Sequence, residues 1–180
     1  MISELEVLGL IGARLQDARI DYMLTGSFAL SYYATPRMTR DLDIVVQLAP
    51  TDAARVHALF ADDFYVDIDD VRDAIATARM FNMLHLESGL KADFILRKST
   101  PYRQLEFARR VKVALGETQV WIVSAEDLIL SKLVWSRDSQ SDLQLRDVRS
   151  LLAVSSLDKD YLKHWAPQLG VADALETLLT

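Results

Sequence analysis

Two aspartates alternate with apolar residues in the run Thr39-Arg40-Asp41-Leu42-Asp43-Ile44-Val45-Val46. The Ile and Val content predicts a strand over residues 39–48. Side chains alternate along a strand, so Leu42, Ile44 and Val46 point one way and Asp41 and Asp43 the other. The two aspartate Cα atoms then lie roughly 6.5–7 Å apart. Two like charges on one face cost free energy unless something neutralises them. A divalent cation does this, and carboxylate oxygens suit Mg²⁺, which is held by a few carboxylates together with substrate phosphates. Read alone, an Asp-x-Asp pair is a solvated strand face.

The residues ahead of the pair change that reading. Gly26-Ser27 follows an apolar run over 20–24, a predicted strand, and opens a predicted helix over 28–34 that Ser27 would cap and Pro36 would end. Glycine lets backbone N–H groups approach a ligand closely. A helix N-terminus offers unpaired N–H groups and the positive end of its dipole, which suits a phosphate. A phosphate cradle and a carboxylate pair separated by one helix make a coherent site for a metal-bound triphosphate.

With Arg37-x-Thr39-Arg40-Asp41-x-Asp43, the Gly26-Ser27 turn resembles the signature of the DNA polymerase β-like nucleotidyltransferase superfamily. Over residues 5–152 the chain is more narrowly similar to bacterial nucleotidyltransferases of the abortive-infection and type IV toxin–antitoxin kind. The resemblance implies an α+β nucleotidyltransferase fold, a mixed β-sheet flanked by helices, followed by an all-helical C-terminal region. It implies a Mg²⁺ (or Mn²⁺) enzyme that moves a nucleoside monophosphate from a triphosphate such as ATP to an acceptor hydroxyl on RNA or protein. A tRNA acceptor, a cognate antitoxin and a place in a toxin–antitoxin or phage-defence system belong to the same expectation. The alternatives are a small-molecule, aminoglycoside-type nucleotidyltransferase and a non-catalytic nucleotide- or partner-binding module.

The superfamily commonly places a third carboxylate on a neighbouring strand, and Asp93 in Lys91-Ala92-Asp93-Phe94-Ile95 is the candidate. If the two strands are neighbours, Asp93 lies ~5 Å across from the first pair, either as a further metal ligand or as the base for the acceptor hydroxyl. Glu87, Asp67 and Asp69 compete for that role. The run Glu126-Asp127-Leu128-Ile129-x-x-Lys132, with Arg137 and Asp147 beyond it, resembles the tail of the toxin-type enzymes. There Lys132 would hold triphosphate oxygens and Asp147 would face the same cleft. Arg40, Gly26 and Ser27 complete the nucleotide-binding set. An aminoglycoside acceptor would need an acidic pocket, which Glu126, Asp127 and Asp147 could form.

These residues must be positioned by the rest of the chain. Leu5, Leu8, Ile11, Leu15 and Ala18 at helical spacing predict an opening helix over 4–18. A helix over 53–61, a short strand at 64–66 and a charged helix over 69–78 follow. Glu87-Ser88-Gly89 separates strands at 80–86 and 90–96, and Gly116-Glu117 separates strands at 111–115 and 119–123, so two hairpins are expected, with a helix over 101–109 between them. Helices over 127–135, 143–153, 158–166 and 171–179 complete the chain. The division expected is a catalytic domain over 1–123 and a helical region over 124–180 packed on it.

Composition bounds the partners. The 180 residues carry a net charge of −6, so the chain is no general nucleic-acid coat. Arg97, Lys98, Arg103, Arg109, Arg110 and Lys112 form one basic stretch that could meet RNA or be a plain solvated surface. There is no cysteine, which excludes disulfides and thiolate-held zinc. His57, His85 and His164 have no ligand spacing. Trp121, Trp135 and Trp165 read as packing residues. The start, Met1-Ile2-Ser3-Glu4, lacks the pattern of a signal peptide, and no run reaches membrane-spanning length. A cytoplasmic protein is expected, with no membrane partner.

Overall fold

A computed structural model describes residues 2–34, 41–116, 118–154 and 156–179. The expected calls on Arg37 and Arg40 therefore lie outside the described residues. The elements run α1 (Glu4–Asp17), β1 (Tyr22–Thr25), α2 (Gly26–Tyr33), β2 (Asp41–Val46), α3 (Ala53–Phe60), β3 (Phe64–Tyr65), α4 (Ile68–Thr77), β4 (Met80–His85) and β5 (Lys91–Leu96). They continue with α5 (Pro101–Ala108), β6 (Val111–Leu115), β7 (Thr118–Ile122), α6 (Ala125–Ser139), α7 (Asp142–Leu152), α8 (Lys159–Gln168) and α9 (Ala172–Leu179). The fold is α+β, as expected.

All seven strands form one mixed sheet in the order β3-β4-β5-β2-β1-β7-β6. β2 pairs antiparallel with β1 and parallel with β5, so the strand carrying the aspartate pair sits near the middle. The hairpins β4–β5 and β6–β7 form as the turn glycines predict. On one face, Leu42, Ile44 and Val46 of β2 and Ala92, Phe94 and Leu96 of β5 are buried with residues of α1, α3 and α4. That apolar row anchors β2 and β5 and forces Asp41, Asp43 and Asp93 to the opposite face.

Over part of the opposite face lies a second core. Met23 of β1 packs there with Ala29 and Leu30 of α2, Tyr102 and Phe107 of α5, and an apolar group from α6 to α9. Residues 124–180 thus share this core with α2 and α5. β4 and the near edge of β5 stay uncovered, and Met80 and Leu84 are exposed there.

Two helices, α2 and α6, differ most from the sequence expectation. α2 begins at Gly26 rather than at residue 28, because Gly26 at φ +65° turns the chain straight from strand into helix. Thr25 occupies the cap position and Ser27 is buried in the first turn, so Ser27 is not the cap. α6 starts at Ala125, with Ser124 Oγ accepting from the Asp127 N–H, and runs to Ser139.

Candidate active site

The site forms where β1 hands over to α2. Thr25 lies beside Asp43 in the β1–β2 ladder, so the helix starts directly against that aspartate. A Cβ built on Gly26 would lie 2.6 Å from Asp43 Cγ and collide with Oδ2. Only glycine fits there, for space as well as for its positive φ. Among the described residues no side chain caps α2, so the positive end of its dipole faces the place beside the Asp43 carboxylate where an anion would sit.

Across the parallel pairing, Asp43 stands next to Asp93 and Asp41 next to Lys91. The sequence placed Asp93 on the same face as Lys91, and Lys91 Nζ donates to Asp93 Oδ2 at 3.0 Å. Asp93 is 8% exposed, and its Oδ1 is buried without a hydrogen-bond partner among the described residues. Lys91 Nζ approaches that oxygen to 2.8 Å as a charge contact without hydrogen-bond geometry. Asp41 is exposed at the rim.

Electrostatics mark the cluster as charge-starved. Burial, then the charges of Asp93 and Asp41, push the Asp43 carboxyl up to about 6, against the pull of Lys132 and Lys91. Its hydrogen bond to Asp93 raises Lys91. Among the described residues, no group of three or more possible ligands is gathered into a ready-made metal cage. Two adjacent carboxylates, one with a buried oxygen that among the described residues meets the Lys91 charge but accepts no hydrogen bond, still fit Mg²⁺, which takes one or two carboxylates and completes its shell with phosphate and water. Asp43 and Asp93 are the fitting pair, and Asp41 stands one pleat away.

Lys132 and Asp147, both expected to face the cleft, are brought together as a buried pair, and Asp147 is not among the residues that line the cleft. Lys132 on α6 is 2% exposed and donates to Asp147 Oδ2 at 2.7 Å and to Gln144 Oε1 at 3.0 Å, both on α7. Lys132 also borders a cleft of about 320 Å³ that reaches Gly26. Its charge is felt at Asp43.

The acidic pocket expected from Glu126, Asp127 and Asp147 is not there. Asp127 is 0% exposed and accepts from Ser124 Oγ at 2.7 Å, Tyr161 OH at 2.7 Å, Arg109 Nε at 3.1 Å and Tyr102 OH at 3.2 Å. It ties α5, α6 and α8 together. Glu126 accepts from the Asp158 N–H, and Asp147 is taken by Lys132. Buried charges must be paired to persist, and burial consumed these three.

The basic stretch disperses in the same way. Arg103 pairs with Glu106, Arg109 with Asp127, and Arg110 with Asp21. Arg97 and Lys98 have no ion-pair partner among the described residues and border the cleft. The competitors for the third carboxylate are elsewhere: Asp67 caps α4, Asp69 pairs with Arg72, and Glu87 lies in the exposed turn between β4 and β5.

Two residues escaped the sequence reading. Asn82 on β4 is the register partner of Asp93 and exposed on the same face. The hairpin turn could have predicted that pairing. Trp135 was read as packing, and packing holds for Trp121 and Trp165. Trp135 instead borders the cleft and is half exposed.

Solved structures share this architecture. A nucleotidyltransferase-like antigenic protein from Paracoccidioides brasiliensis matches at TM-score 0.66 and 19% identity, over 93% of this chain and 84% of its own. The lincosamide antibiotic adenylyltransferase LnuA, solved with lincomycin bound, matches at TM-score 0.58 and 13% identity, over 86% and 99%. The antibiotic-resistance factor ANT(2'')-Ia matches at TM-score 0.56 and 13% identity, over 95% and 93%. The chain has a nucleotidyltransferase-like fold. No protein-family model and no curated protein matches the sequence. No helix among the described residues is long and apolar enough to cross a membrane.

Proposed function

We propose that this chain is a metal-dependent nucleotidyltransferase. One observation carries the proposal: a helix N-terminus that no side chain among the described residues caps begins at Gly26 in contact with Asp43, which is itself beside Asp93. A phosphate seat and a carboxylate pair in contact are what a metal–triphosphate needs. The similarity to solved nucleotidyltransferases supports the reading through the fold they share.

Asp43 and Asp93, with Asp41 at the rim, would hold Mg²⁺, whose charge would offset the negative charge that develops during transfer. The first-turn N–H groups of α2, with Ser27, grip the outer phosphates. Asp93 orients the acceptor hydroxyl and takes its proton as the oxygen attacks the α-phosphorus. A new P–O bond to the acceptor forms, the bond to the bridging oxygen of the β-phosphate breaks, and pyrophosphate leaves. Lys132 lends positive charge to that side of the cleft.

For the acceptor we propose a hydroxyl on RNA, tRNA included, or on protein. The similarity of residues 5–152 to toxin-type enzymes, with Lys132 and Asp147 paired, supports this and a role beside a cognate antitoxin. The second reading, a small-molecule acceptor, draws on LnuA with lincomycin and on ANT(2'')-Ia, solved with adenylyl-2''-tobramycin. A polycation is the less suitable acceptor, because the acidic groups it would need are taken up in ion pairs and Arg97 and Lys98 border the cleft.

The test is incubation of the chain with each α-labelled triphosphate, Mg²⁺, and cellular RNA, cellular protein or a panel of hydroxylated antibiotics. Label should enter one fraction with wild type and none with Asp43→Asn. Equal transfer by the folded Asp43→Asn variant sinks the proposal.

A further inference from the structure

Trp135 lies in the C-terminal half of α6, one turn beyond Lys132 and on the same helix side. It is 50% exposed, although α6 otherwise buries most of its apolar side chains. Its ring borders the cleft between α6 and the sheet. Opposite it, the pairing of β2 with β5 and of β5 with β4 sets Val45, Ile95 and Met80 side by side in one row. All three line the cleft, and Met80 is 48% exposed.

The neighbouring row on the same face is Asp43, Asp93 and Asn82. Two residues of strand separate the rows, about 6.6 Å. The cleft starts at Gly26, where the triphosphate seat is, and crosses the apolar row below Trp135. Its volume, about 320 Å³, is at the small end of the range for small-ligand sites, roughly 300–1,000 Å³. That accommodates one nucleoside.

We propose that Trp135 is the stacking platform for the base of the nucleoside triphosphate, with Val45, Ile95 and Met80 as the opposing floor. The inference rests on the nucleotidyltransferase reading above and assigns the part of the substrate that reading leaves open. An exposed indole over an apolar floor gains little in water and much from a flat aromatic ligand. Three of the polar groups bordering the cleft, Arg103, Glu106 and Ser131, are already satisfied by one another, while Arg97 and Lys98 border it as cations. Arg103 Nη1 donates to Glu106 at 2.8 Å and to Ser131 Oγ at 2.7 Å, and Ser131 Oγ donates to Glu106 Oε1 at 2.6 Å. Recognition therefore rests on ring area more than on base edges. All four bases bind, and ATP and GTP bind more tightly than CTP and UTP.

Calorimetric titration of the full chain in Mg²⁺ with two probes, ATP and inorganic tripolyphosphate, separates the base from the phosphates. Trp135→Ala should weaken ATP by about 5- to 150-fold, the range of one base–aromatic stack, and leave tripolyphosphate unchanged. Trp135→Phe should keep most of the ATP affinity. Wild-type ATP affinity in Trp135→Ala, or an equal loss of both probes, overturns the platform. If wild type binds neither probe, the nucleotidyltransferase reading falls as well. If it binds both and Trp135→Ala changes neither, only the platform falls.

Discussion

Gly26 and Asp43 are in such close contact that no side chain larger than hydrogen fits at position 26 without moving the carboxylate. This one contact joins the two halves of the proposed site, the anion seat proposed at the start of α2 and the carboxylate row on β2. It also explains why a strand passes into a helix with no linker. Gly26→Ala should therefore fail twice. The positive φ costs about 1–2 kcal/mol, and the new methyl displaces Asp43. Chemical denaturation should show a modest loss of stability, while titration with Mg²⁺ and tripolyphosphate shows loss of binding. A Gly26→Ala protein that binds both normally would dissolve the link between seat and carboxylate.

Asp43 holds its charge at a cost in the metal-free chain. Its carboxyl is raised to about 6 in the fold, above its ordinary value of 3.8. The folded state thus retains a proton that the unfolded state releases between those values. The sign follows: this group's contribution favours folding below pH 4 and is lost as pH rises through about 6. Asp43→Asn should therefore stabilise the metal-free chain at pH 8, by at most about 2–3 kcal/mol, and do little at pH 4. Urea unfolding in EDTA at the two pH values checks this. Mg²⁺ should narrow the difference at pH 8, since it stabilises wild type selectively.

The Lys132–Asp147 pair is buried on both sides at 2.7 Å. Removing one partner strands the other charge, so Lys132→Met or Asp147→Leu alone should cost about 3–5 kcal/mol. The double replacement should recover most of that stability. It should not recover nucleotide transfer if Lys132 supplies charge to the cleft. A double-mutant cycle on denaturation midpoints gives the coupling, and a transfer assay on the double variant separates structure from chemistry.

Tyr102 and Tyr161 both donate to Asp127, and burial is the main cause that raises each phenol far above its ordinary value of 10. Burial likewise raises Tyr33, whose hydroxyl donates to the Val123 carbonyl. In the unfolded chain these phenols ionise near pH 10, and in the fold they resist. Stability is therefore retained below pH 10 and lost as pH climbs above it. Tyr161→Phe should flatten that alkaline decline, with a cost at neutral pH of about 1–3 kcal/mol from the hydrogen bond Asp127 loses. Thermal melts from pH 7 to 11 check both parts.

The sequence alone determined most of the framework. Strong local signals did so: the Asp-x-Asp alternation on β2, the glycine turns of two hairpins, the capped amphipathic helices. Each depends on residues close together in the chain, so periodicity and turn chemistry suffice. Asp41 and Asp43 could be named because their spacing reports one strand face, Gly26 because it opens a strand-to-helix turn, and Asp93 because the superfamily resemblance implies a third carboxylate on a neighbouring strand. Only the tertiary structure decided what each charge meets. Asp127 and Asp147 look in sequence like the exposed acids of helical faces, yet α8 and α6 bury them against Tyr161 and Lys132. The basic stretch from Arg97 to Lys112 looks like a patch, yet its Arg103, Arg109 and Arg110 are taken by Glu106, Asp127 and Asp21. Trp135 looks like packing and faces a cleft. For Asp127, Asp147, Arg109 and Trp135, desolvation and pairing are set by neighbours that meet only once α6 to α9 have folded back over the open face of the sheet, and for Arg110 by Asp21, distant in the chain.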